Sequence, residues 1–199
     1  MDYRYFQDPH NYSTYTNENQ LCGLCKTLEP GYKGPFYGQH QIEFVCEECL
    51  FSGKLADVEG TTNSWSDSSV REQLEKLHPE LNETQINNLV EERSAEIKYR
   101  TPHLVTWQDF TWPVHCGDYC RFIKEVGKAD LNNLAEDGDG QVFFSQHLPE
   151  YQKEITHVTS IWKAIRPDSP INNSTSFSVG VYLFQCLECR EYVIDWDCD

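Results

Sequence analysis

Eight of the nine cysteines in this 199-residue chain fall into four close pairs: Cys22/Cys25, Cys46/Cys49, Cys116/Cys120 and Cys186/Cys189. Zinc takes four soft ligands at tetrahedral corners, and a short loop that turns two sulfurs toward one point supplies half of such a set. Two pairs brought together close one site. The four pairs therefore predict two structural Zn²⁺ ions, which constrains how the chain is built before it says what the chain does.

The first two pairs read C-x2-C-x20-C-x2-C, close to a recurrent zinc-site spacing. Disulfides are the competing explanation. Against them, residues 1–20 carry neither a basic stretch nor an apolar run of the kind that directs export, so a reducing cytosol is the expected compartment. No stretch approaches the ~18 apolar residues of a membrane span. The Asn-x-Ser/Thr triplets at Asn82 and Asn173 then read as chance matches. Cys116-x3-Cys120 and Cys186-x2-Cys189 are separated by 65 residues, so only folding can join them into the second site. His115 is the obvious substitute if one of those cysteines is not a ligand. Cys198 is left over and reads as a free thiol near the terminus.

Charge narrows the partners. The chain has 16 basic and 32 acidic residues, a formal net charge of −16. Each zinc held by four thiolates adds a further −2, so two such sites take the total to about −20. Phosphate backbones repel such a surface, and nucleic-acid affinity rests largely on Lys and Arg, so the finger-like spacing does not predict nucleic-acid binding. An acidic surface suits a basic protein partner, whose approach it steers. Alternatively it serves solubility alone. The C-terminal acids Glu188, Glu191, Asp195, Asp197 and Asp199 are one candidate surface, with a solvated terminus as the plainer reading.

The length fits one domain over residues 1–199, with a zinc-knuckle module at 18–60, a helical insertion at 66–99 and a second zinc module at 100–199. An aromatic content of 13% suffices for a core, while a mean hydropathy of −0.63 and runs such as 11–19 predict long polar loops. Tyr3, Tyr5 and Phe6 read as an extended aromatic anchor. Glycines, Pro35 and aromatics over 31–45 predict a hairpin turning near 38–41. Cys46 and Cys49 stand where a helix begins, and helix N-terminal amides stabilise thiolates. Knuckle, hairpin and then a cysteine pair in a helix's first turn is the order of a treble clef, so the predicted fold class is α+β, with small antiparallel hairpins around treble-clef-like knuckles plus several helices.

Ser69 with Glu72 reads as a capping box ahead of the stripe Val70, Leu74, Leu77 and Leu81. A second helix starts near Asn82 or Thr84 with Ile86, Leu89, Val90 and Ile97 inward, and Arg100-Thr101-Pro102 stops it. Tyr151, Ile155, Val158, Trp162 and Ile165 predict one helix over 149–166. The Asp-Gly-Asp-Gly run before it lacks the distant Glu of a calcium loop and reads as a turn. Phe177, Val179, Val181 and Leu183 alternate as a strand into Cys186 and Cys189, and 192–196 returns from that knuckle.

Together the phrases YKGPFY (32–37), VCEECLFSGKLAD (45–57), the Arg100-Thr101-Pro102 turn with Trp107-Gln108, WPVHCGDYCRF (112–122) and VYLFQCLEC followed by Asp195-Trp196-Asp197 resemble the CbrC family of bacterial proteins over nearly the whole chain. The chain departs from that pattern at Glu47 and Glu48 between the second cysteine pair, at Arg190 where a glycine usually follows the last pair, and in the acidic stretch after Gly127. The resemblance implies tolerance to a nuclease colicin. It carries over no catalytic residue, and the eight paired cysteines carry over as metal ligands only.

Two function classes follow. In the first, the protein is a non-enzymatic immunity-type binder whose acidic surface occupies the basic cleft of a nuclease-type toxin. In the second it is an enzyme on the treble-clef scaffold, either a metal-dependent nuclease or a thiol-redox protein. His40 could serve a nuclease, but 50–59 offers no His or Asn to hold its metal. A metal-saturated site would bury the thiolates that redox chemistry needs. No Ser/His/Asp order, phosphate-binding glycine loop or nucleotide fingerprint is present. A zinc-stabilised protein with an unrelated housekeeping role is the remaining reading.

Overall fold

A computed structural model of the chain describes residues 1–154, 157–168 and 178–198. The fold is α+β, built from three small antiparallel sheets and, among the described residues, eight α-helices. Ile155, Asn173, Phe177 and Asp199 lie outside the described residues.

The N-terminal aromatics do anchor the chain. Tyr3, Tyr5 and Phe6 are buried, and the backbone around them pairs with Phe122, whose N–H donates to Tyr5 O at 2.8 Å. After α1 (Pro9–Tyr12) come β1 (Tyr15–Leu21) and β2 (Leu28–Lys33), with β3 (Phe44–Cys46) on the other edge of β2. β1 overturns the polar loop expected at 11–19. Tyr15 lies opposite Tyr32, their rings edge-to-face at 5.2 Å, and His10 stacks on Tyr15 at 3.7 Å. The remaining strand residues include exposed Asn17, Glu18 and Asn19, so an edge strand with one wet face has the composition of a loop. α2 (Glu47–Phe51) follows β3 directly, with Cys46 as its N-cap residue. A 3-10 turn, Lys54–Val58, then buries Leu55 beside Leu50.

α3 (Asp67–Leu77) is capped by Ser66, whose hydroxyl accepts from Ser69 N at 3.2 Å, so Ser69 is the third helical residue and not the cap. α4 (Glu83–Tyr99) opens on a reciprocal box in which Gln85 N donates to Asn82 Oδ1 at 3.0 Å and Asn82 N donates to Gln85 Oε1 at 2.9 Å. Val70, Leu74, Ile86, Val90 and Ile97 face the core, as their spacing predicts, whereas Leu77 is exposed. The 60–66 segment between the knuckle module and α3 is held in place. Thr62 and Asn63 are buried and donate to Thr101 O at 2.6 and 3.0 Å, which fastens the segment to the end of α4.

β4 (Val114–His115) and β5 (Asp118–Tyr119) form a tight hairpin over Cys116 and Gly117, both left-handed at φ 53° and 73°. A two-residue turn with two positive φ values matches the strand twist. β6 (Arg121–Glu125) continues from it. α5 (Lys128–Leu134) and α6 (Gly140–Gln146) fill the acidic stretch, where the sequence showed only a turn. Asp130 caps the first by accepting from Gly127 N, and Asp139, just after left-handed Gly138, caps the second by accepting from Gln141 N and Val142 N at 3.1 Å.

The helix expected over 149–166 is two helices, α7 (Glu150–Lys153) and α8 (Val158–Ala164). His157, at φ −76° and ψ 78°, is non-helical and opens the second. Tyr151, Val158, Trp162 and Ile165 keep a helical spacing on both sides of that break, so the periodicity of the sequence does not reveal it. α7 also turns a different face inward, burying Gln152 and leaving Tyr151 60% exposed.

β7 (Val179–Gln185) and β8 (Tyr192–Cys198) pair over their whole length, and β6 pairs with the other edge of β7. This sheet has core on both faces. Tyr182 and Phe184 pack with Phe122 and Trp112, while Val179, Val181 and Leu183 pack with Phe144, Leu131 and Ile165 beneath the short helices. Among the described residues no helix is long and apolar enough to cross a membrane.

Candidate metal centres

The first centre forms where the tip of β1–β2 meets the start of α2. Residues 22–25 turn back on themselves, with Cys22 N donating to Thr27 O at 2.9 Å and Lys26 N to Cys22 O at 3.1 Å. Lys26 takes a left-handed conformation at φ 63° to complete that knuckle. Gly23 N donates to Phe44 O at 2.8 Å, which seats the knuckle against β3. The result is that the sulfurs of Cys22, Cys25, Cys46 and Cys49 lie within 4.8 Å of one another.

The donor chemistry fits zinc. Cys25 Sγ and Cys46 Sγ are 3.7 Å apart, close to the edge of about 3.8 Å that a tetrahedron with Zn–S near 2.3 Å requires. Leu24 N and Cys46 N both point at Cys22 Sγ at 3.4 Å, an arrangement that steadies a thiolate. The thiols differ in proton affinity. The Thr27 hydroxyl and backbone bring Cys25 down to about 6, while burial followed by the neighbouring sulfurs pushes Cys46 and Cys49 up. Four adjacent thiolates repel, and a divalent cation among them would remove that penalty. Zinc at this centre would supply a cross-link between the knuckle and the helix.

The second centre is built from two hairpin tips. Cys186 and Cys189 sit on the β7–β8 tip, where Arg190 adopts φ 68° just as Lys26 does after Cys25. Opposite them stands the β4–β5 turn. The group that the structure brings within 4.8 Å is His115, Cys116, Cys186 and Cys189. His115 Nδ1 lies 3.3 Å from Cys116 Sγ and 3.4 Å from Cys189 Sγ. Cys120, expected among the ligands, stands outside this group, and His115 takes the fourth place. The reason is the hairpin. Its two-residue turn presents 115 and 116 to the tip, whereas Cys120 lies past β5, fully buried, with its N–H on Pro113 O and its carbonyl accepting from Trp112 Nε1 at 2.7 Å. Burial pushes the Cys120 thiol well up, and Cys186, Asp118 and Cys189 add to the push.

Contacts from distant elements position this turn. Gln73 of α3 accepts from Gly117 N at 2.9 Å, and Arg93 of α4 donates to Gly117 O. Asp118, nearly buried, accepts from Tyr5 Oη at 2.6 Å and from Arg4 Nη2 at 2.7 Å, which ties the hairpin to the N-terminal anchor. These supports leave no pattern in the sequence, because their partners are far apart along the chain. Three thiolates and a neutral imidazole would leave zinc with one negative charge, so the two centres together would bring the chain to about −19. This centre is also the more open one, with Cys189 exposed and His115 and Cys116 half-buried. The Cys116 thiol is pushed up to about 12 by burial and its sulfur neighbours.

The other candidates separate. His40 is exposed and belongs to neither group. Of the acidic C-terminal residues, Glu188 and Glu191 are exposed, but Asp195 and Asp197 are buried, so the tail does not form the solvent-facing surface expected of it. Asp197 accepts from Trp107 N at 2.6 Å, Gln108 N at 3.0 Å and Tyr182 Oη at 3.0 Å. Cys198 is half-buried, near Gln108.

The profile of UPF0167, described as an uncharacterised protein family, matches residues 1–198. UPF0167 proteins of Mycobacterium bovis and Mycobacterium tuberculosis are each 24% identical over 192 residues, covering 94% of this chain and 87% of their own length. One from Pseudomonas aeruginosa is 24% identical over 199 residues, covering 98% of this chain and 95% of its own. No solved structure matches the chain.

Proposed function

The chain belongs to UPF0167, an uncharacterised protein family, and from that premise we propose that it is a zinc-stabilised, non-enzymatic cytoplasmic protein that binds a basic protein partner through its acidic surface. The observation that carries this reading is a formal charge of −16 on a frame whose two metal groups each offer four ligand atoms. Four protein ligands fill a tetrahedral site and leave no open position for substrate, which is the pattern of structural zinc. The resemblance to CbrC proteins directs the partner toward a nuclease-type toxin, whose cleft must be basic to hold phosphates. In this reading the protein confers tolerance by occupying that cleft.

Co-expression with a nuclease-type toxin tests it. The expected result is rescued growth and a purified complex whose affinity falls steeply as salt rises from 50 to about 500 mM, because surface charge pairs are screened beyond a Debye length. Absence of both protection and complex formation across a panel of such toxins would sink the reading.

A thiol-redox role has one observation in its favour, the exposure of Cys189 at the more open centre. It predicts that the zinc-loaded protein reacts stoichiometrically with a disulfide reagent and is re-reduced by a cellular thiol. The binding reading predicts thiols protected until the metal is stripped.

A further inference from the structure

Between α3, residues 108–115 and the wall made by α7 and β8 runs a groove of about 1190 Å³, with His115 of the second metal group along its lining. That exceeds the ~300–1000 Å³ usual for a small-molecule site and is wide enough for several residues of an extended chain. Its lining is strongly one-signed. Glu72, Asp109, Glu150, Glu191, Asp195 and Asp197 face a single lysine, Lys153, which is itself 3.3 Å from Glu150. His115 and His147 are the other titratable bases there.

The groove wall also holds an arrangement that the protein alone leaves incomplete. Gln152 is 8% exposed and Asp195 4%. Gln152 Nε2 donates to Asp195 Oδ1, which also accepts from Trp196 N at 2.8 Å. Gln152 Oε1 is buried with no hydrogen-bond partner. A buried acceptor without a donor thus stands beside a buried carboxylate. Such an acceptor costs folding energy unless a donor arrives.

We propose that this groove docks a basic, extended segment of a partner protein, with one arginine seated against Asp195 and Gln152. A guanidinium presents five N–H donors in a rigid fork and is the side chain best suited to two clustered acceptors. Tyr151 and Trp196 line the same groove and offer aromatic faces for a flat cation. This inference rests on the acidic-binder reading above and adds where and how the partner is gripped.

The probes are capped tetrapeptides of arginine, of lysine and of citrulline, titrated into the zinc-loaded full chain by calorimetry and by ¹⁵N NMR. The expected result is that the arginine peptide binds most tightly, shifts the Gln152 side-chain amide and the Trp196 signals, and loses at least tenfold in affinity on Asp195→Asn. Glu29→Gln, which changes the net charge equally but lies on β2, is expected to weaken binding less than twofold. Equal losses for both variants would show a diffuse charge effect, overturning the groove while leaving the acidic-binder reading intact. Binding of none of the basic peptides would overturn the groove and count against that reading as well. Occupation of Asp195 by millimolar Mg²⁺ without any peptide binding there would assign the pair to a hard cation and overturn the inference.

Discussion

Asp195 shows what a single buried residue costs. Burial raises its carboxyl to about 6 from an ordinary value of 3.8, with Trp196 N and the Gln152 amide pulling the other way. Because the folded state holds this proton more tightly than the unfolded chain, its contribution to stability is fully present below the ordinary value and is lost as pH rises through about 6. Two units correspond to roughly 2–3 kcal/mol. Asp195→Asn removes that pH dependence. The variant is therefore expected to unfold at higher denaturant than the parent at pH 8, by on the order of 2 kcal/mol, with the difference shrinking as pH falls from about 6 toward 4. Denaturant titrations at several pH values check this, and a variant less stable at pH 8 would show that the carboxylate is not a burden. A sequence cannot reveal such a residue. Asp195 follows Ile194 and precedes Trp196 in an acidic tail, and only its packing beside Gln152 of α7 separates it from exposed Glu191.

At the scale of elements, legibility followed locality. The start of α4 was readable because both halves of its cap, Asn82 and Gln85, lie within one turn. The start of α3 lies one turn before the Ser69 box that the sequence suggests, since Ser66, Ser68 and Ser69 all qualify by composition and only the backbone path selects Ser66. Ser66→Ala is expected to destabilise the protein by about 1 kcal/mol and Ser69→Ala by a few tenths. Thermal unfolding of the two variants separates these outcomes, and equal shifts would mean that the cap is shared. The break between α7 and α8 is hidden by an apolar spacing that continues on both sides of it. Strand β1 was hidden by its polar wet face. α5 and α6 escaped notice because each spans only seven residues, too few for a periodic pattern, although Asp130 and Asp139 were legible as caps in retrospect.

At the scale of the molecule, zinc at the two centres would cross-link the first knuckle to α2 and the β4–β5 turn to the β7–β8 tip. Native mass spectrometry of the parent is expected to show two zinc ions, with strong chelation unfolding the chain, since each structural zinc contributes on the order of 10 kcal/mol to such modules. The variants discriminate the ligands. Cys120→Ala is expected to keep both ions, and His115→Ala to weaken the second by more than the 10–100-fold typical of a lost supporting contact. The reverse pattern, with Cys120→Ala losing an ion and His115→Ala keeping both, would place the thiol in the coordination sphere.

Sequence alone determined that metal clamps were to be expected, that the first joins a knuckle to a helix's first turn, and that the surface is acidic, because cysteine spacing, caps and charge are local or additive properties. Tertiary structure decided which four side chains lie together in the second group, where the acids face, and that a groove beside β8 holds a buried acceptor without a donor. His115 and Cys120 lie on either side of Cys116 in sequence, and Gln73, Arg93 and the Arg4–Asp118 pair hold the turn that sets His115 beside Cys189, contacts that reach across 44, 24 and 114 residues. Such contacts leave no pattern along the chain, because each is formed only when the whole fold has brought its partners together.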